Sequence, residues 1–584
     1  MIRHTARELS REWTCHMMLV FLCLFVFAYA QDNQANLSVN TTQGVVIGSR
    51  ATDGSYYTFY GIHYGGSTAG ENRFKAPTPP PVYPGEYYAV DNKVICAQPT
   101  PRGLIGVEDC LVLNIFTKNA SITSRPVLVW LESEDYTTTR QELFSFKKLV
   151  EEDLVVVSVN YRLSVFGFLC LGVPEAPGNA GLKDVIQALK WIQQNIAGFG
   201  GDPNNIVLLA HSSGAAMADL ITLSPLSQNL VHKVIAISGS ALSPWAVAYE
   251  PVKYAESLGQ KLSYTGKSKK ELAKSLESTD LNILIPALND FEFFNNTPLF
   301  APCIEDINLG SDRVLTDAPI NLLRNGNYSH IPYIAAFVDR EGTLRAQQAA
   351  FNNWLVKMEN NFTDFIQVDL KFESEQNKSA EAQKIREFYF AQKAVNMETI
   401  EDYLDYQGDT LVVVSVIRGI GERANTSRAP VRLLEFAYRG THNSDWAYPQ
   451  IPLNGAKHGS LLNYLFDFDL LANDVVLQNS IIKRFAAFAK VGDPNPTNFV
   501  NPGIPWNPYT PSSSIALRIS GDDTITVGKS FQEEARVNIH QQRMSFWNNI
   551  YKAYYHPPQP TSSADKLLSL SLVLISCQLL IKLM

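Results

Sequence analysis

The sequence predicts an α/β fold in which a large, mostly parallel central sheet is covered by helices on both faces. Short apolar runs rich in valine and isoleucine alternate with longer helical stretches along the chain, and strands that alternate with helices form parallel sheets buried on both sides. The chain has 584 residues, 46% of them hydrophobic. This is enough for one large core, because large α/β domains exceed the usual domain size of about 150 residues.

The predicted elements follow one another in the order expected of such a fold. Short length and enrichment in β-branched residues identify the buried strands. Strands are expected at residues 125–131, 154–159, 205–209, 233–238, 333–338 and 431–438. Helical stretches are expected at residues 180–197, 251–286 and 380–395. The first of these helices lies between two strands, as the crossover between parallel strands requires.

The charge balance excludes nucleic acid as a partner. The chain carries 49 Lys and Arg against 57 Asp and Glu, a formal charge of −8. It contains no basic cluster, which phosphate binding would need. From the motifs of the chain we expect no cofactor and no metal site.

Residues 1–30 are predicted to be a signal peptide. Arginines near the N-terminus precede an apolar run over residues 17–30, which ends in the small-x-small sequence Ala-Tyr-Ala that precedes cleavage. The mature chain is therefore expected to begin near Gln31 and to enter the secretory pathway.

Residues 556–584 are predicted to tether the protein to a membrane. Residues 567–584 are mostly apolar and follow a Pro-rich stretch and several small residues, a pattern typical of a GPI signal with attachment near Ser562 or Ser563. A short single transmembrane helix is the alternative, since ~17–25 residues span a bilayer. Both alternatives leave one folded extracellular domain at residues 31–555.

Four cysteines remain in the mature domain. Cys96 and Cys110 are close in sequence and could close a short loop, which would stabilise the fold by about 3 kcal/mol. Cys170 lies in an apolar run and is expected to be a buried, reduced thiol. Cys303 is expected to stay unpaired.

Secretion also makes the N-x-S/T sequons candidate glycosylation sites in exposed turns. Eight sequons mark such positions along the chain. They are Asn36, Asn40, Asn119, Asn295, Asn327, Asn361, Asn377 and Asn425.

A serine stands where a predicted strand turns into a predicted helix. The strand at residues 205–209 is followed by Ala-His-Ser-Ser-Gly, with the first serine at position 212. This matches the nucleophile elbow G-x-S-x-G except that Ala210 replaces the first glycine. An ordinary turn with a helix cap is the alternative interpretation of such a segment.

The wider chain resembles the type-B carboxylesterase and cholinesterase family, from about Gln43 to Tyr551. The motifs that carry the resemblance are Tyr60-Gly61-Ile62, Arg73-Phe74-Lys75, Glu108-Asp109-Cys110-Leu111-Val112-Leu113-Asn114, Asn160-Tyr161-Arg162, Asn179-Ala180-Gly181-Leu182-Lys183-Asp184, Phe199-Gly200-Gly201-Asp202-Pro203 and Gly492-Asp493-Pro494-Asn495. The resemblance implies an α/β-hydrolase fold, a disulfide between Cys96 and Cys110, and ester hydrolysis by a Ser, Glu, His triad as the ancestral activity.

The triad positions of the family fall on Ser212 as nucleophile, Glu341 as acid and His458 as base. The order Ser, acid, His along the chain is the one that this fold uses. We expect the Ser212 hydroxyl to lie near hydrogen-bond distance of one His458 ring nitrogen, with Glu341 at the other. His211 and His442 are expected to be ordinary polar residues.

The sequence departs from the family at the oxyanion hole. The family carries a run of glycines there, whereas this chain has Leu131-Glu132-Ser133-Glu134-Asp135-Tyr136, called here the oxyanion segment. Without glycine the backbone N–H groups of Glu132, Ser133 and Glu134 are not expected to point at the site. Losing one such donor costs about 10²- to 10³-fold in turnover. The N–H of Ser213 would remain.

Two classes of function follow from these features. In the first, the protein resembles the degenerate cell-surface members of the family (neuroligin, neurotactin and glutactin), with a weak or inactive site and a scaffold that binds a protein partner in adhesion. In the second, it is a carboxylesterase that binds and hydrolyses small lipophilic esters. The cholinesterases that the chain resembles carry a cation-binding tryptophan in the loop that corresponds to residues 96–110. No tryptophan lies between Cys96 and Cys110 here, so choline esters are not expected as substrates.

Overall fold

The computed structural model describes residues 36–561, apart from residues 101, 121–123, 141–143, 290, 441–445, 467, 469, 471, 497–502 and 523–530. The predicted signal peptide at 1–30, residues 562–584 of the predicted anchor, and His442 lie outside the described residues. No helix in the part that is described is long and apolar enough to cross a bilayer.

Strands make up the centre of the described part of the chain. They are β1 (Asn36–Thr41), β2 (Gly44–Arg50), β3 (Tyr57–His63), β4 (Tyr87–Tyr88), β5 (Gln98–Thr100), β6 (Gly103–Ile105), β7 (Val112–Thr117), β8 (Arg125–Ser133), β9 (Val155–Val159), β10 (Cys170–Val173), β11 (Ala176–Pro177), β12 (Gly201–Ser212), β13 (Lys233–Ile237), β14 (Tyr333–Val338), β15 (Val431–Arg439), β16 (Ile515–Asp522) and β17 (Gln532–Val537).

Helices fill most of the connections from β8 to β16. They are α1 (Lys147–Glu151), α2 (Ser164–Phe168), α3 (Ala180–Asn195), α4 (Ser213–Leu223), α5 (Pro251–Lys261), α6 (Lys269–Ser278), α7 (Leu281–Leu288), α8 (Pro319–Asn325), α9 (Ala346–Phe351), α10 (Trp354–Asn360), α11 (Glu375–Phe390), α12 (Ile400–Gly408), α13 (Val414–Thr426), α14 (Ala472–Val491) and α15 (Gln541–Tyr554).

The main sheet is mixed, with a parallel centre and antiparallel edges. Its strand order is β1-β2-β3-β7-β9-β8-β12-β13-β14-β15-β16-β17, with β4 beside β2. Neighbours from β9 to β16 run parallel, whereas β1, β2, β3, β7 and β17 pair antiparallel along the main order. The predicted parallel sheet is thus confirmed for the centre, and the candidate serine ends one of these central strands.

Alternation along the central strands builds a core on each face of the sheet. In β8, Val129 and Leu131 belong to the cluster on one face, whereas Leu128 and Trp130 belong to the cluster on the other. All four side chains are buried. Strands buried on both faces need continuous apolar runs, which is why β8 has so few polar residues.

A buried ion pair joins helix α3 to the segment that follows β9. The guanidinium of Arg162 donates to both carboxylate oxygens of Asp184 at 2.7 and 2.5 Å, and the two side chains are 2% and 0% exposed. The backbone N–H of Arg162 donates to the same carboxylate at 3.1 Å. This two-point pairing fixes α3 against the sheet.

Two disulfides are present among the described residues. The predicted bond between Cys96 and Cys110 is confirmed. The prediction that Cys170 is reduced and Cys303 unpaired is wrong, because the two form the second disulfide. Cys170 is buried as expected, at 1% exposure, but burial does not exclude pairing, and a partner 133 residues away is not visible in local spacing.

Gly178 and Asn179 bring the second pair of sulfur atoms together. A Cβ added at Gly178 would lie 2.6 Å from the Cys303 Sγ and 2.7 Å from the Cys170 Sγ, and the φ of Gly178 is +103°. Only glycine fits such a position without strain. The Asn179 side chain donates to the Cys303 carbonyl and accepts from the Cys303 N–H, both at 2.8 Å.

Removal of the second disulfide should lower stability by about 2–4 kcal/mol, because the bond closes a long loop and so restricts the unfolded chain. We expect the double variant Cys170→Ala with Cys303→Ala to unfold at lower denaturant concentration, and non-reducing peptide mapping of the parent to recover a peptide joined through these cysteines. Two free thiols in the unreduced, denatured parent would contradict this expectation.

Most predicted glycosylation sequons lie on the surface. Asn36, Asn40, Asn327, Asn361, Asn377 and Asn425 are exposed. Asn119 and Asn295 are half-buried, and both use their side chains inside the fold. The Asn119 carbonyl oxygens accept from Arg125, and the Asn295 side chain accepts from the Thr297 hydroxyl at 2.7 Å. Glycosylation is therefore easier to accommodate at the six exposed positions.

Candidate active site

The candidate nucleophile lies on a sharp strand-to-helix turn. Strand β12 ends at Ser212 and helix α4 begins at Ser213. Ser212 has φ 55° and ψ −125°, a strained conformation that small neighbouring residues permit. A Cβ at Gly214 would lie 2.5 Å from the Leu131 carbonyl oxygen, so the absence of a side chain lets α4 pack directly on β8. The predicted passage from strand to helix is thus present at Ser212.

The candidate acid and base meet although 117 residues separate them. The Nδ1 of His458 donates to a Glu341 carboxylate oxygen at 2.5 Å. The other oxygen of Glu341 accepts from the Val338 N–H at 2.9 Å, and the His458 N–H donates to the Thr343 hydroxyl at 2.9 Å. Glu341 is fully buried. These bonds fix the imidazole with its Nε2 facing the serine end of β12.

Glu134 lies where the serine and the histidine were expected to meet. The Ser212 hydroxyl donates to the Glu134 Oε2 at 2.7 Å, and the Glu134 Oε1 lies 3.3 Å from the His458 Nε2. Among the hydrogen bonds of the described residues, none joins Ser212 to His458 directly. The carboxylate therefore links the two groups in place of the expected Ser–His hydrogen bond.

The charge states of His458 and Glu134 depend on their burial and on the charged groups beside them. Burial alone would lower the pKa of His458, but Glu134 and Glu341 outweigh it and raise that pKa well above its usual range. Burial opposes charge on Glu134, yet the charge and hydrogen bond of His458 lower the pKa of Glu134 to about 2. At neutral pH the site thus holds a protonated imidazole between two carboxylates.

The side chains of Glu132 and Ser133 bind groups other than the Ser212 hydroxyl. Glu132 is 3% exposed and accepts from the Thr139 hydroxyl at 2.9 Å and the Arg140 N–H at 2.8 Å. Burial raises the pKa of Glu132 to about 7. Ser133 contacts the Ser213 hydroxyl at 2.7 Å. Of the carboxylates in this segment, Glu134 is the one that contacts the serine hydroxyl.

Two backbone donors of the oxyanion segment are engaged with the protein itself. The Glu134 N–H donates to the Thr138 carbonyl at 2.8 Å, and the Tyr136 N–H donates to the Ser213 hydroxyl at 2.9 Å. Asp135 and Tyr136 adopt φ of +51° and +58°, a region that costs non-glycine residues energy. The turn therefore keeps a glycine-like backbone shape but aims these donors at internal acceptors.

His211 is a residue of the site that sequence reasoning missed. It is 2% exposed, its Nδ1 lies 3.7 Å from the Glu134 Oε1, and its ring centroid lies 4.8 Å from that of His458. Neither ring nitrogen has a hydrogen-bond partner. Burial and the charge of His458 lower its pKa to about 3, so it is neutral. Its position directly before Ser212 was the feature of the sequence that could have identified it as a site residue.

A cavity of about 500 Å³ lies beside the oxyanion segment, with Asp135 and Tyr136 in its wall. Its aromatic lining residues are Trp245, Phe291, Phe293, Phe300 and Trp354. Ser212 and His458 are not among the residues that line it. The cavity therefore meets the oxyanion segment and not the serine itself.

Comparisons with known proteins find related sequences over most of this chain. A family model described as Carboxylesterase family matches residues 35–547. Venom carboxylesterase-6 from Apis mellifera is 29% identical over 501 residues, which cover 82% of this chain and 89% of that protein. Bile salt-activated lipase from Homo sapiens is 30% identical over 532 residues, which cover 85% of this chain and 66% of that protein.

A solved structure extends the agreement to the fold. Juvenile hormone esterase from Manduca sexta with OTFP covalently attached aligns with a TM-score of 0.78 and 24% identity, over 88% of this chain and 100% of that chain. The predicted α/β-hydrolase fold is thereby confirmed. None of the three proteins compared is neuroligin-like by name, so that part of the resemblance stays an expectation.

Proposed function

The chain belongs to the carboxylesterase family, and from this premise we propose that it is an extracellular, membrane-tethered member with weak or absent serine-dependent esterase activity, whose scaffold serves binding or adhesion at the cell surface. The observation that carries the proposal is the Glu134 carboxylate between Ser212 and His458. A serine esterase needs its base to take the serine proton as the bond to the carbonyl forms.

Neither neighbour of the serine is suited to take that proton. Glu134, with a pKa of about 2, is a weak base at neutral pH, and general bases work best with pKa values near the working pH. His458 is already protonated, because its pKa lies well above the usual range. Serine attack is therefore disfavoured before any charge develops on the substrate.

The charge of Glu134 also opposes the transition state. Acyl transfer places negative charge on the carbonyl oxygen next to the serine, and active hydrolases aim N–H groups at it. Here a carboxylate oxygen lies 2.7 Å from the Ser212 hydroxyl, and the N–H groups of Glu134 and Tyr136 are engaged elsewhere. Both features raise the barrier to ester hydrolysis.

A fluorophosphonate probe tests this proposal on the purified ectodomain. We expect labelling no faster than that of the Ser212→Ala variant. Rapid labelling of the parent that Ser212→Ala abolishes would favour the second candidate function, a carboxylesterase for small lipophilic esters. That candidate is supported by the Glu341–His458 bond and by the strand-to-helix turn that carries Ser212.

Any residual serine-dependent activity should rise towards alkaline pH. A raised pKa keeps His458 charged until the pH exceeds it, and only the neutral imidazole can act as a base. We expect kcat/KM for p-nitrophenyl acetate, measured in chelator-containing buffer, to increase with pH. In Glu134→Gln, which removes one of the two nearby charges, the midpoint of this increase should move to lower pH. An unchanged midpoint would show that Glu134 does not control the charge of His458.

The proposal of secretion is supported by the sequence of residues 1–30 and by one relative, whereas the proposal of anchoring is supported by the sequence of residues 556–584 alone. One relative is by its name a venom protein, in line with passage through the secretory pathway. We expect phosphatidylinositol-specific phospholipase C to release the full-length protein from the surface of expressing cells. Retention on the membrane with a C-terminal epitope still attached would favour the short transmembrane helix instead.

A further inference from the structure

We propose that Glu134, His211 and His458 together bind one divalent transition-metal ion, of which Zn²⁺ is the best match. Each residue offers one ligand atom, and these atoms lie within 4.8 Å of one another. The inference concerns metal binding alone and goes beyond the proposed function, because it holds whether or not Ser212 hydrolyses esters.

The spacing of the ligand atoms suits a tetrahedral ion. Bonds of about 2.0–2.1 Å to nitrogen and oxygen place neighbouring ligands of a tetrahedral Zn²⁺ about 3.4 Å apart. The Glu134 Oε1 lies 3.3 Å from the His458 Nε2 and 3.7 Å from the His211 Nδ1. All three ligand atoms lie within 4.8 Å of one another, so the two imidazoles must approach each other by up to about 1.4 Å for all three atoms to reach bonding distance.

His211 is the observation that points to a missing ligand. Its imidazole is 2% exposed, and both ring nitrogens lack a hydrogen-bond partner. Buried polar groups almost always have a partner, in the protein or in an ordered ligand. A metal ion bound to Glu134 and His458 would provide such a partner for the His211 Nδ1, which faces the Glu134 carboxylate.

Two of the three ligands are already oriented by outer contacts. Glu341 accepts from the His458 Nδ1 at 2.5 Å, so the Nε2 faces the candidate ion, as in the carboxylate–histidine–zinc arrangements of metalloproteins. When the ion binds, the Nε2 releases its proton to solvent, and the Nδ1 keeps the proton that it donates to Glu341. The Ser212 hydroxyl donates to the Glu134 Oε2 at 2.7 Å and leaves the Oε1 directed at the two imidazoles. Such outer contacts raise metal affinity because the ligands need little ordering on binding.

The ligand chemistry selects the class of ion. Two imidazoles and one carboxylate suit Zn²⁺ and its neighbours Cu²⁺, Ni²⁺ and Co²⁺, whereas Ca²⁺ and Mg²⁺ prefer oxygen ligands. Two histidines with one glutamate form the protein ligand set of several zinc sites that keep a fourth position open. The sequence alone gave no reason to expect this, because the three ligands come from one turn, one strand end and a distant loop.

Equilibrium dialysis and calorimetry with ZnCl₂ on chelator-treated ectodomain test the proposal. We expect one Zn²⁺ per chain, and Co²⁺ in its place should give the visible absorption of a four-coordinate site. His211→Ala and Glu134→Gln should each weaken Zn²⁺ binding by at least about 100-fold, and Glu341→Gln, which only positions His458, by about 10- to 100-fold. His63→Asn is the matched control, because His63 also faces a carboxylate, that of Asp109, at 4.0 Å, but lies outside the cluster.

X-ray absorption at the zinc edge of the loaded parent gives a second measurement that needs no variant. Two imidazole ligands and one carboxylate would support the site. An absence of stoichiometric Zn²⁺ binding, equal affinity for Ca²⁺, or full affinity in His211→Ala would each overturn it. Fluorophosphonate labelling of the chelator-treated parent reports on the proposed function separately, so failure of one idea is distinguishable from failure of the other.

Discussion

Replacing Glu134 with glycine is expected to raise the turnover of p-nitrophenyl acetate by at least about 10²-fold, the effect of recovering one element of charge stabilisation. The change removes the carboxylate that accepts from Ser212 at 2.7 Å and that lies 3.3 Å from the His458 Nε2. The serine and the imidazole could then pair directly. The loss of one negative neighbour would also lower the pKa of His458 towards a useful range.

Matched variants separate this effect from a general change in the segment. Asp135→Asn alters the neighbouring carboxylate, which is 54% exposed and contacts Arg345 at 4.0 Å, and should leave turnover unchanged. Adding Ser212→Ala to Glu134→Gly should abolish the gain. If Glu134→Gly folds with parent stability and hydrolyses no faster, the engaged N–H groups of the oxyanion segment are the limiting defect instead.

A wider graft of His-Gly-Gly-Gly over residues 132–135 is a less clean experiment. Glu132 lies in strand β8 and binds Thr139 and Arg140, so its replacement removes contacts that hold the following turn. The structure therefore favours substitution of Glu134 alone over replacement of all four residues.

Asp184→Ala is expected to destabilise the fold by about 3–5 kcal/mol, because it leaves the buried charge of Arg162 without its partner. Arg162 donates to both carboxylate oxygens of Asp184, and both side chains are buried. The free energy of unfolding from urea titration measures the loss. The fluorophosphonate probe does not measure this loss, since the Arg162–Asp184 ion pair does not contact Ser212.

Two further variants make this prediction specific. Glu250→Ala breaks an ion pair with Lys253 whose side chains are 50% and 61% exposed, and exposed pairs contribute no more than about 1 kcal/mol. The double variant Arg162→Met with Asp184→Leu removes both charges and should recover much of the loss, as replaced buried pairs often do. Equal losses in Asp184→Ala and Glu250→Ala would refute the reasoning.

The central strands were predictable because strands buried on both faces appear in the sequence as short, continuous apolar runs. Strand β14 has the predicted bounds of 333–338. Strand β12 extends over residues 201–212 instead of 205–209, because it pairs with β8 at Gly201 and, after a bulge, from Ile206 to Ser212. Helix α11 starts at Glu375, earlier than the predicted residue 380. The Ser374 hydroxyl caps it by accepting from the Asn377 N–H at 3.1 Å.

Contacts between distant segments were not predictable in the same way. The family motifs located Ser212, Glu341 and His458, and the structure brings the last two into contact. The direction of Glu134 is set by the turn after β8, where its N–H binds Thr138, and no local pattern encodes that direction. The bond between Cys170 and Cys303 likewise depends on a fold that joins residues far apart in the chain.

The way in which the oxyanion segment is held has a consequence for evolution. A glutamate codon becomes a glycine codon through a single base change, so one mutation can remove the Glu134 carboxylate. The bond from the Tyr136 N–H to the Ser213 hydroxyl is harder to reverse, because Asp135 and Tyr136 already hold positive φ and the whole turn must be reshaped. Under the proposed function, a lineage could regain a reactive serine long before it regained a complete oxyanion hole, because the two changes would require separate mutations.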